Sequence, residues 1–254
     1  MLQIHQFPCL SDNYGFLIHD PETGATAAID TPDAEEIMRQ AAAKGWRVTD
    51  VWNTHWHPDH AGGNAAIKAK TGAIVTGPAE VERIGQAPDR IVDDGDVVKL
   101  GGMQARVLNV GGHTLGHIAF VFDAARVAFV GDALFALGCG RLFEGTPQQM
   151  WASLQKLAGL PDDTTLYCAH EYTQSNARFA IHIDPCNREL QARIAEIDKL
   201  RAAGKPTVPM TLAEEKSTNP FLRAPHLKGA IMLPDASDWE AFADLRQRKD
   251  NFKG

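Results

Sequence analysis

Val48-Thr49-Asp50-Val51-Trp52-Asn53-Thr54-His55-Trp56-His57-Pro58-Asp59-His60 is an apolar-rich run that ends in three imidazoles and a carboxylate. Val48 to Thr54 reads as a buried strand, and the H-x-H-x-D-H cluster follows directly at its end. Crowding these groups onto one turn is poor for packing and good for metal binding. Imidazole nitrogen and carboxylate oxygen suit Zn, Fe or Mn, and no thiolate competes within the cluster. In an extended H-x-H pair both side chains point to one face. Asp59 and His60, past the strand end, can then aim at a second position roughly 3.5–4 Å away, the spacing of two-metal hydrolytic sites.

With 254 residues and 44% apolar content the chain can bury a sizeable core, as one large domain or a domain with an appendage. The net charge of −7 argues against a broad surface for nucleic acid or anionic membrane, so an anionic ligand needs a local basic pocket. The start, Met1 to Pro8, lacks a basic stretch leading into an apolar one, and no run approaches the roughly 18 apolar residues of a membrane span. A soluble, cytoplasmic monomer is expected. Cys9, Cys139, Cys168 and Cys186 are widely spaced and form no C-x-x-C pair, which implies reduced thiols.

Strands and helices alternate outward from the cluster. Gly15 to Ile18 and Thr26 to Ile29 suggest an antiparallel pair. Thr31 with Pro32 opens a helix that Gly45 stops. A helix follows Gly62-Gly63-Asn64, a strand covers Ala73 to Thr76, and Pro78 starts a short helix. Hairpin-like strands are expected at Val97 to Leu100, Gln104 to Val110, Ile118 to Phe122 and Val127 to Val130. Helix returns at Pro147 to Ala158 and Gln174 to Ile183, on either side of a strand at Thr165 to Ala169. This order predicts an α/β fold, two sheets face to face with helices outside in a four-layer αββα sandwich. From about residue 185 the chain reads as a helical appendage, with helices at Arg188 to Ala203 and Asp238 to Lys249 separated by proline-marked loops.

Three further ionisable residues stand at strand ends beside small residues: His113 after Val110-Gly111-Gly112, Asp132 after Gly131, and His170 after Ala169. Open α/β sheets place ligands at such ends, so residues distant in sequence can converge. We expect His55, His57 and His113 to hold one ion, Asp59, His60 and His170 the other, and Asp132 to bridge both. His117 reads as structural, Asp30 as a residue that supports the ligands or caps a helix, and Cys139 and Cys168 as packing residues.

With these segments in view the chain resembles the metallo-β-lactamase superfamily, whose T-H-x-H-x-D-H signature is Thr54 to His60. Within it the chain is similar to the hydroxyacylglutathione hydrolase (glyoxalase II) family. Gly112 to His117, Gly131 to Phe135, Gly138 to Thr146, His170 to Thr173, Asn219 to Arg223 and Arg246 to Asp250 carry that similarity. The resemblance implies a metallo-hydrolase domain at 1–184, a helical glutathione-binding domain at 185–254, and the seven ligands above. It also implies glutathione contacts from Arg141, Phe143, Tyr172, Arg246 and Lys249. Phe143 stands where the family often has tyrosine, and a phenyl ring cannot donate a hydrogen bond.

The activity so implied is hydrolysis of S-(2-hydroxyacyl)glutathione, chiefly S-lactoylglutathione, to glutathione and D-lactate, the second step of methylglyoxal detoxification. Two divalent ions, Zn with Fe or Mn as alternatives, would lower the pKa of a shared water to about 7, giving a bridging hydroxide. Asp59 would orient that nucleophile as well as bind metal. A thiolate of pKa roughly 8.5 leaves without a dedicated general acid. A persulfide dioxygenase of the same superfamily, with one iron on His113, His57 or His55 and Asp132, is the rival enzyme, but it lacks the helical tail. A nuclease would want a basic face, and a non-catalytic metal protein would not need an open coordination position.

Overall fold

Alternation of side chains builds an antiparallel meander from β1 (Gln3–Cys9), β2 (Asn13–His19) and β3 (Thr26–Ile29) in the computed structural model, which describes residues 2–254. Gln3 pairs with His19 and Phe16 with Ile29. Helix α1 (Ala34–Lys44) then crosses back so that β4 (Asp50–Trp52) pairs parallel to β3, with Ala28 opposite Val51. A one-turn helix α2 (Pro58–Ala61) and helix α3 (Asn64–Thr71) lead to β5 (Ile74–Gly77) and the short β6 (Arg90–Ile91), both parallel to β4. A second meander follows, β7 (Val97–Leu100), β8 (Met103–Asn109), β9 (Ile118–Phe122) and β10 (Val127–Gly131), antiparallel throughout.

These strands make up the first of two compact units, which ends at Asn109 and includes Gly116–Gly131. The period-2 pattern divides β4 between two cores. Val51 joins Leu17, Ala28 and Val75 against Ile37 and Ala41 of α1 and Ile67 of α3. Trp52 faces the other way, onto Phe120 at 5.2 Å and Phe122 at 6.0 Å, while Phe16 meets Phe129 at 5.5 Å. Helix, sheet and sheet account for three of the expected four layers within this unit alone.

The second unit comprises Val110–Leu115 and Asp132–Gly254. Its elements are the hairpin β11 (Leu134–Phe135) and β12 (Gly138–Cys139), α4 (Pro147–Ala158), β13 (Thr165–Cys168), α5 (Thr173–Ile183), α6 (Arg188–Ala202), β14 (Met210–Thr211), α7 (Leu212–Thr218), α8 (Ala224–Leu227) and α9 (Asp238–Asn251). Leu190 and Ile197 of α6 pack on Ala177 and Ala180 of α5 and on Leu137 of the hairpin turn. An aromatic row, Phe179, Phe221, Phe242 and Trp151, with centroids 5.9–6.0 Å apart, runs from α5 through α9 to α4. Among the described residues no helix is long and apolar enough to cross a membrane.

Several elements differ from the sequence expectation for definable reasons. Asp33, not Thr31, caps α1, its carboxylate accepting from the backbone N–H of Glu35 and Glu36. The Thr31 hydroxyl is committed instead to Asn64 Oδ1 at 2.7 Å. The strand expected to reach Thr54 stops at Trp52, because the Thr54 N–H leaves the ladder for a side chain, Asp30 Oδ1, at 2.7 Å. Strand β1 carries too weak an apolar alternation to be noticed. Helix α7 lies where prolines suggested only loop, and a capping box between Thr211 and Glu214 starts it.

The aromatic contact between the sheets sets the stability of the first unit. Phe120→Ala, a fully buried position, is expected to cost about 3–5 kcal/mol. Urea unfolding followed by circular dichroism should show a lowered midpoint at unchanged slope.

Candidate metal centre

Asp30 organises the ligand-rich turn of the first unit. Its backbone is left-handed, with φ of 58°, an arrangement that costs a non-glycine residue roughly 1–2 kcal/mol. Its carboxylate offsets that cost by taking three donors: Thr54 N at 2.7 Å, Thr54 Oγ1 at 2.8 Å and His60 Nδ1 at 2.8 Å. Because a carboxylate only accepts, these bonds set the protons on their neighbours. Nδ1 of His60 carries the hydrogen, which leaves Nε2 with the lone pair. The Thr54 hydroxyl is spent as a donor, so it accepts from His55 Nδ1 at 3.0 Å, and His55 Nε2 likewise presents a lone pair.

Those lone pairs meet further donor atoms. His55 Nε2 lies 3.0 Å from His57 Nδ1, and His60 Nε2 lies 3.5 Å from Asp59 Oδ2. Asn13 Nδ2 donates to the same Asp59 oxygen at 3.1 Å and holds the carboxylate in place. Asp30, His55 and His60 also bring donor atoms within 4.8 Å of one another. With its oxygens already taken by Thr54 and His60, Asp30 serves as the orienting group and not as a ligand. His117 is fully buried and stacks on the His55 ring at 4.6 Å. It backs that ring as a platform. Gly131 makes room for that stack, since a Cβ there would lie 2.6 Å from Thr54 Oγ1 and 2.8 Å from His117 Nε2.

The second unit repeats the logic around Asp132. His113 Nδ1 donates to the Arg141 carbonyl at 2.8 Å, which leaves Nε2 facing Asp132 Oδ2 at 3.4 Å. His170 Nε2 faces the other oxygen, Asp132 Oδ1, at 3.3 Å. One carboxylate thus has an imidazole nitrogen against each oxygen. All three side chains are buried, His113 at 4%, Asp132 at 6% and His170 at 3% exposure. In the second unit the open Nε2 of His113 and the Asp132 carboxylate are acceptors brought together in a buried place, which a cation among them would stabilise, and the imidazole and carboxylate donors of both units are of the kind that fit divalent metal. Gly140 is required for this approach, as a Cβ would fall 2.0 Å from the Asp132 carbonyl oxygen and 3.1 Å from His113 Nδ1.

A cavity of about 440 Å³ in the second unit is lined by His113 and Asp132 together with Arg141, Phe143, Tyr172, Arg246 and Lys249. Phe143 is 62% exposed and meets His113 edge to face at 5.2 Å, and Tyr172 stacks flat on His170 at 4.7 Å. The two terminal cations differ. Arg246 is buried, donating to the Cys139 carbonyl at 2.9 Å and to Asp250 at 2.8 Å, so it forms part of the cavity wall. Lys249 reaches Ser175 O at 3.1 Å. Its burial, and then the charges of Arg246, Arg178 and Arg141, hold its pKa down at about 8. Cys139, whose thiol burial pushes up to about 11, packs beneath Arg246. Sequence reasoning missed Asn13 and Ser175, neither of which lies in a recognisable ligand or substrate pattern, and gave Phe135 no role of its own although it closes the Gly131 to Phe135 segment.

Residues 20–170 match the metallo-beta-lactamase superfamily, and residues 171–252 match the hydroxyacylglutathione hydrolase C-terminus. A hydroxyacylglutathione hydrolase of Erythrobacter litoralis is 57% identical over 252 residues, covering 99% of this chain and 100% of its own. One from Maricaulis maris is 54% identical over 253 residues, with 99% of each chain covered. Among solved structures, ETHE1 from Myxococcus xanthus superposes with a TM-score of 0.70 at 27% identity, covering 96% of this chain and 90% of that one.

If Asp30 orients both histidines, Asp30→Asn must weaken metal binding, because an amide cannot accept from all three donors. Chelator competition should show about a 10- to 100-fold loss of zinc affinity in a folded protein.

Proposed function

The chain belongs to the hydroxyacylglutathione hydrolase family of the metallo-β-lactamase superfamily, and on that premise we propose that it hydrolyses S-(2-hydroxyacyl)glutathione thioesters. S-Lactoylglutathione is the foremost substrate, giving glutathione and D-lactate in the second step of methylglyoxal detoxification. The observation that carries this reading is a single cavity lined both by His113 and Asp132 and by Arg141, Tyr172 and Lys249. A thioester of an anionic tripeptide needs both kinds of group.

His55, His57 and His113 would hold one divalent ion, Asp59, His60 and His170 the other, and Asp132 would serve both. Nitrogen and oxygen donors suit zinc, which we take as the metal, with iron or manganese as alternatives. When bound, such ions polarise the thioester carbonyl and acidify water. The chain's own residues do the rest. Asp59, fixed by Asn13, orients the attacking water, while Asp30 and the Arg141 carbonyl keep His60 and His113 in the tautomers that leave Nε2 open. Arg141 and Lys249 attract the glutathione carboxylates, and Arg246 adds its charge from the cavity wall. Tyr172 and Phe143 offer flat apolar surface to the tripeptide. Phe143 lacks the hydroxyl of a tyrosine, so polar binding falls to the cations and Tyr172. The leaving thiolate, of pKa roughly 8.5, needs no dedicated acid. The reading places the enzyme in the cytoplasm as a monomer, with residues 185–254 as the glutathione-binding domain.

Metal analysis paired with turnover tests this function. Purified protein is expected to hold two metals and to hydrolyse S-lactoylglutathione far faster than a lactoyl thioester lacking the tripeptide. Asp132→Ala should lose both metals and turnover, while His170→Ala should empty mainly one position. Two retained metals and full activity in Asp132→Ala would refute the assignment.

Lys249 supplies a pH test. Its depressed pKa means that it is cationic below about pH 8 and neutral above, so its attraction for a substrate carboxylate fades as pH rises through that value. A partly exposed pair of this kind contributes roughly 1 kcal/mol, about fivefold in KM. KM for S-lactoylglutathione should therefore rise about fivefold between pH 7 and pH 9 with kcat unaffected by this group, since the contact is equal in ground and transition states. Lys249→Met should show the high KM at both pH values, and Lys249→Arg the low one.

A further inference from the structure

The turn between β11 and β12 is built from residues that do not favour it. Ala136 and Leu137 include no Gly, Asn, Asp or Pro, yet Leu137 is left-handed with φ of 57°. The conformation is imposed from α5 and α7. Glu215, fully buried, accepts the Leu137 N–H on Oε2 at 2.9 Å, and Arg193 pairs with its other oxygen. Asn219, equally buried, shares the two hydrogens of Nδ2 among Phe135 O at 3.1 Å, Gly138 O at 2.9 Å and Glu215 Oε2 at 2.9 Å. Asn176 of α5 donates to Ala136 O at 3.1 Å. The backbone groups of the turn are thus met by side chains far along the sequence.

That turn lies in the middle of the segment that shapes the centre. Asp132 stands just before β11. After β12, Gly140 N donates to Ala133 O at 3.2 Å and closes the segment on itself. The next carbonyl, of Arg141, takes the His113 Nδ1 hydrogen. Within the hairpin, Phe135 meets the rings of His170 at 5.9 Å and Tyr172 at 5.4 Å. One short stretch therefore sets Asp132, the tautomer of His113 and the ring against His170.

We propose that Glu215 and Asn219 are positioning residues that hold the Ala136–Leu137 turn and, through it, the Asp132–Arg141 segment in the shape metal binding requires. This rests on the reading of Asp132, His113 and His170 as ligands. The pair touches neither metal nor substrate and acts only through the hairpin backbone. A carboxylate is needed at 215 because it must accept from a backbone N–H, an amide and a guanidinium together. An amide is needed at 219 because two carbonyls and a carboxylate all call for a donor.

The test separates positioning from mere stability. Asn219→Asp, of equal volume, puts an acceptor against three acceptors. Asn219→Ser is the milder variant, to be read in its place should Asn219→Asp not fold. Ile37→Val, buried against the first sheet, is a destabilised control. Each full-length protein is purified, stripped of metal, shown to be folded by circular dichroism well below its melting temperature, and titrated with zinc against a chelator. Both Asn219 variants are expected to bind zinc at least 10-fold more weakly and to lose kcat with KM for S-lactoylglutathione little changed, whereas Ile37→Val lowers only the melting temperature. Wild-type zinc affinity and kcat in folded Asn219 variants would overturn the proposal, as would an equal loss of affinity in Ile37→Val. Failure of the wild-type protein to take up zinc, iron or manganese would instead refute the metal reading beneath it.

Discussion

The carboxylate of Asp30 is the interaction on which the ligand turn of the first unit depends. Three donors converge on it from Thr54 and His60, and they do so only because Asp30 accepts a left-handed backbone. The bond to the Thr54 N–H goes with the early end of β4 at Trp52 and a bend at Thr54 and His55, so the histidines lie outside the strand. The bonds to the Thr54 hydroxyl and to His60 then fix where the protons sit. Backbone strain, chain direction and imidazole tautomer are consequences of one buried charge.

The second unit solves the matching problem by different means. Asp132 lies between two imidazole nitrogens, and the tautomer of His113 is set by a backbone carbonyl, that of Arg141. A backbone acceptor is only as well placed as the segment carrying it. This segment contains a turn that its own residues disfavour, and buried side chains of α5, of α7 and of the Asn219 cap that follows it meet the turn's backbone groups. On the proposed reading, the tail's task extends beyond the cavity lining to the segment that carries the candidate ligands.

The terminal cations show how burial divides residues that look alike. Arg246 and Lys249 are neighbours on α9, and either could be a solvated helix end or a carboxylate-binding group. Arg246 goes inward, where its guanidinium donates to the Cys139 carbonyl and pairs with Asp250. Lys249 lies at the cavity beside Ser175, where its burial, and then the charges of three arginines, let its proton be held less tightly. The first braces the cavity wall, while the second keeps a charge that pH can remove.

Much of this was legible in the chain itself. Val97–Leu100, Ile118–Phe122 and Pro147–Ala158 appear with the bounds their local patterns indicate, because turn residues and a proline at a helix start act over a few positions. The candidate ligand residues stood out for a similar reason: imidazoles and carboxylates at strand ends are costly without a purpose. What tertiary structure alone decided involves partners distant in sequence. Asp33 caps α1 because Thr31 is drawn to Asn64, and β4 stops at Trp52 because Asp30 captures Thr54. Asn13 reaches Asp59 from the first hairpin, and Glu215 and Asn219 hold a turn some 80 residues earlier. The types and order of the chemical groups are written locally. Their orientation and protonation depend on hydrogen bonds between residues that meet only after folding, and no local pattern encodes those.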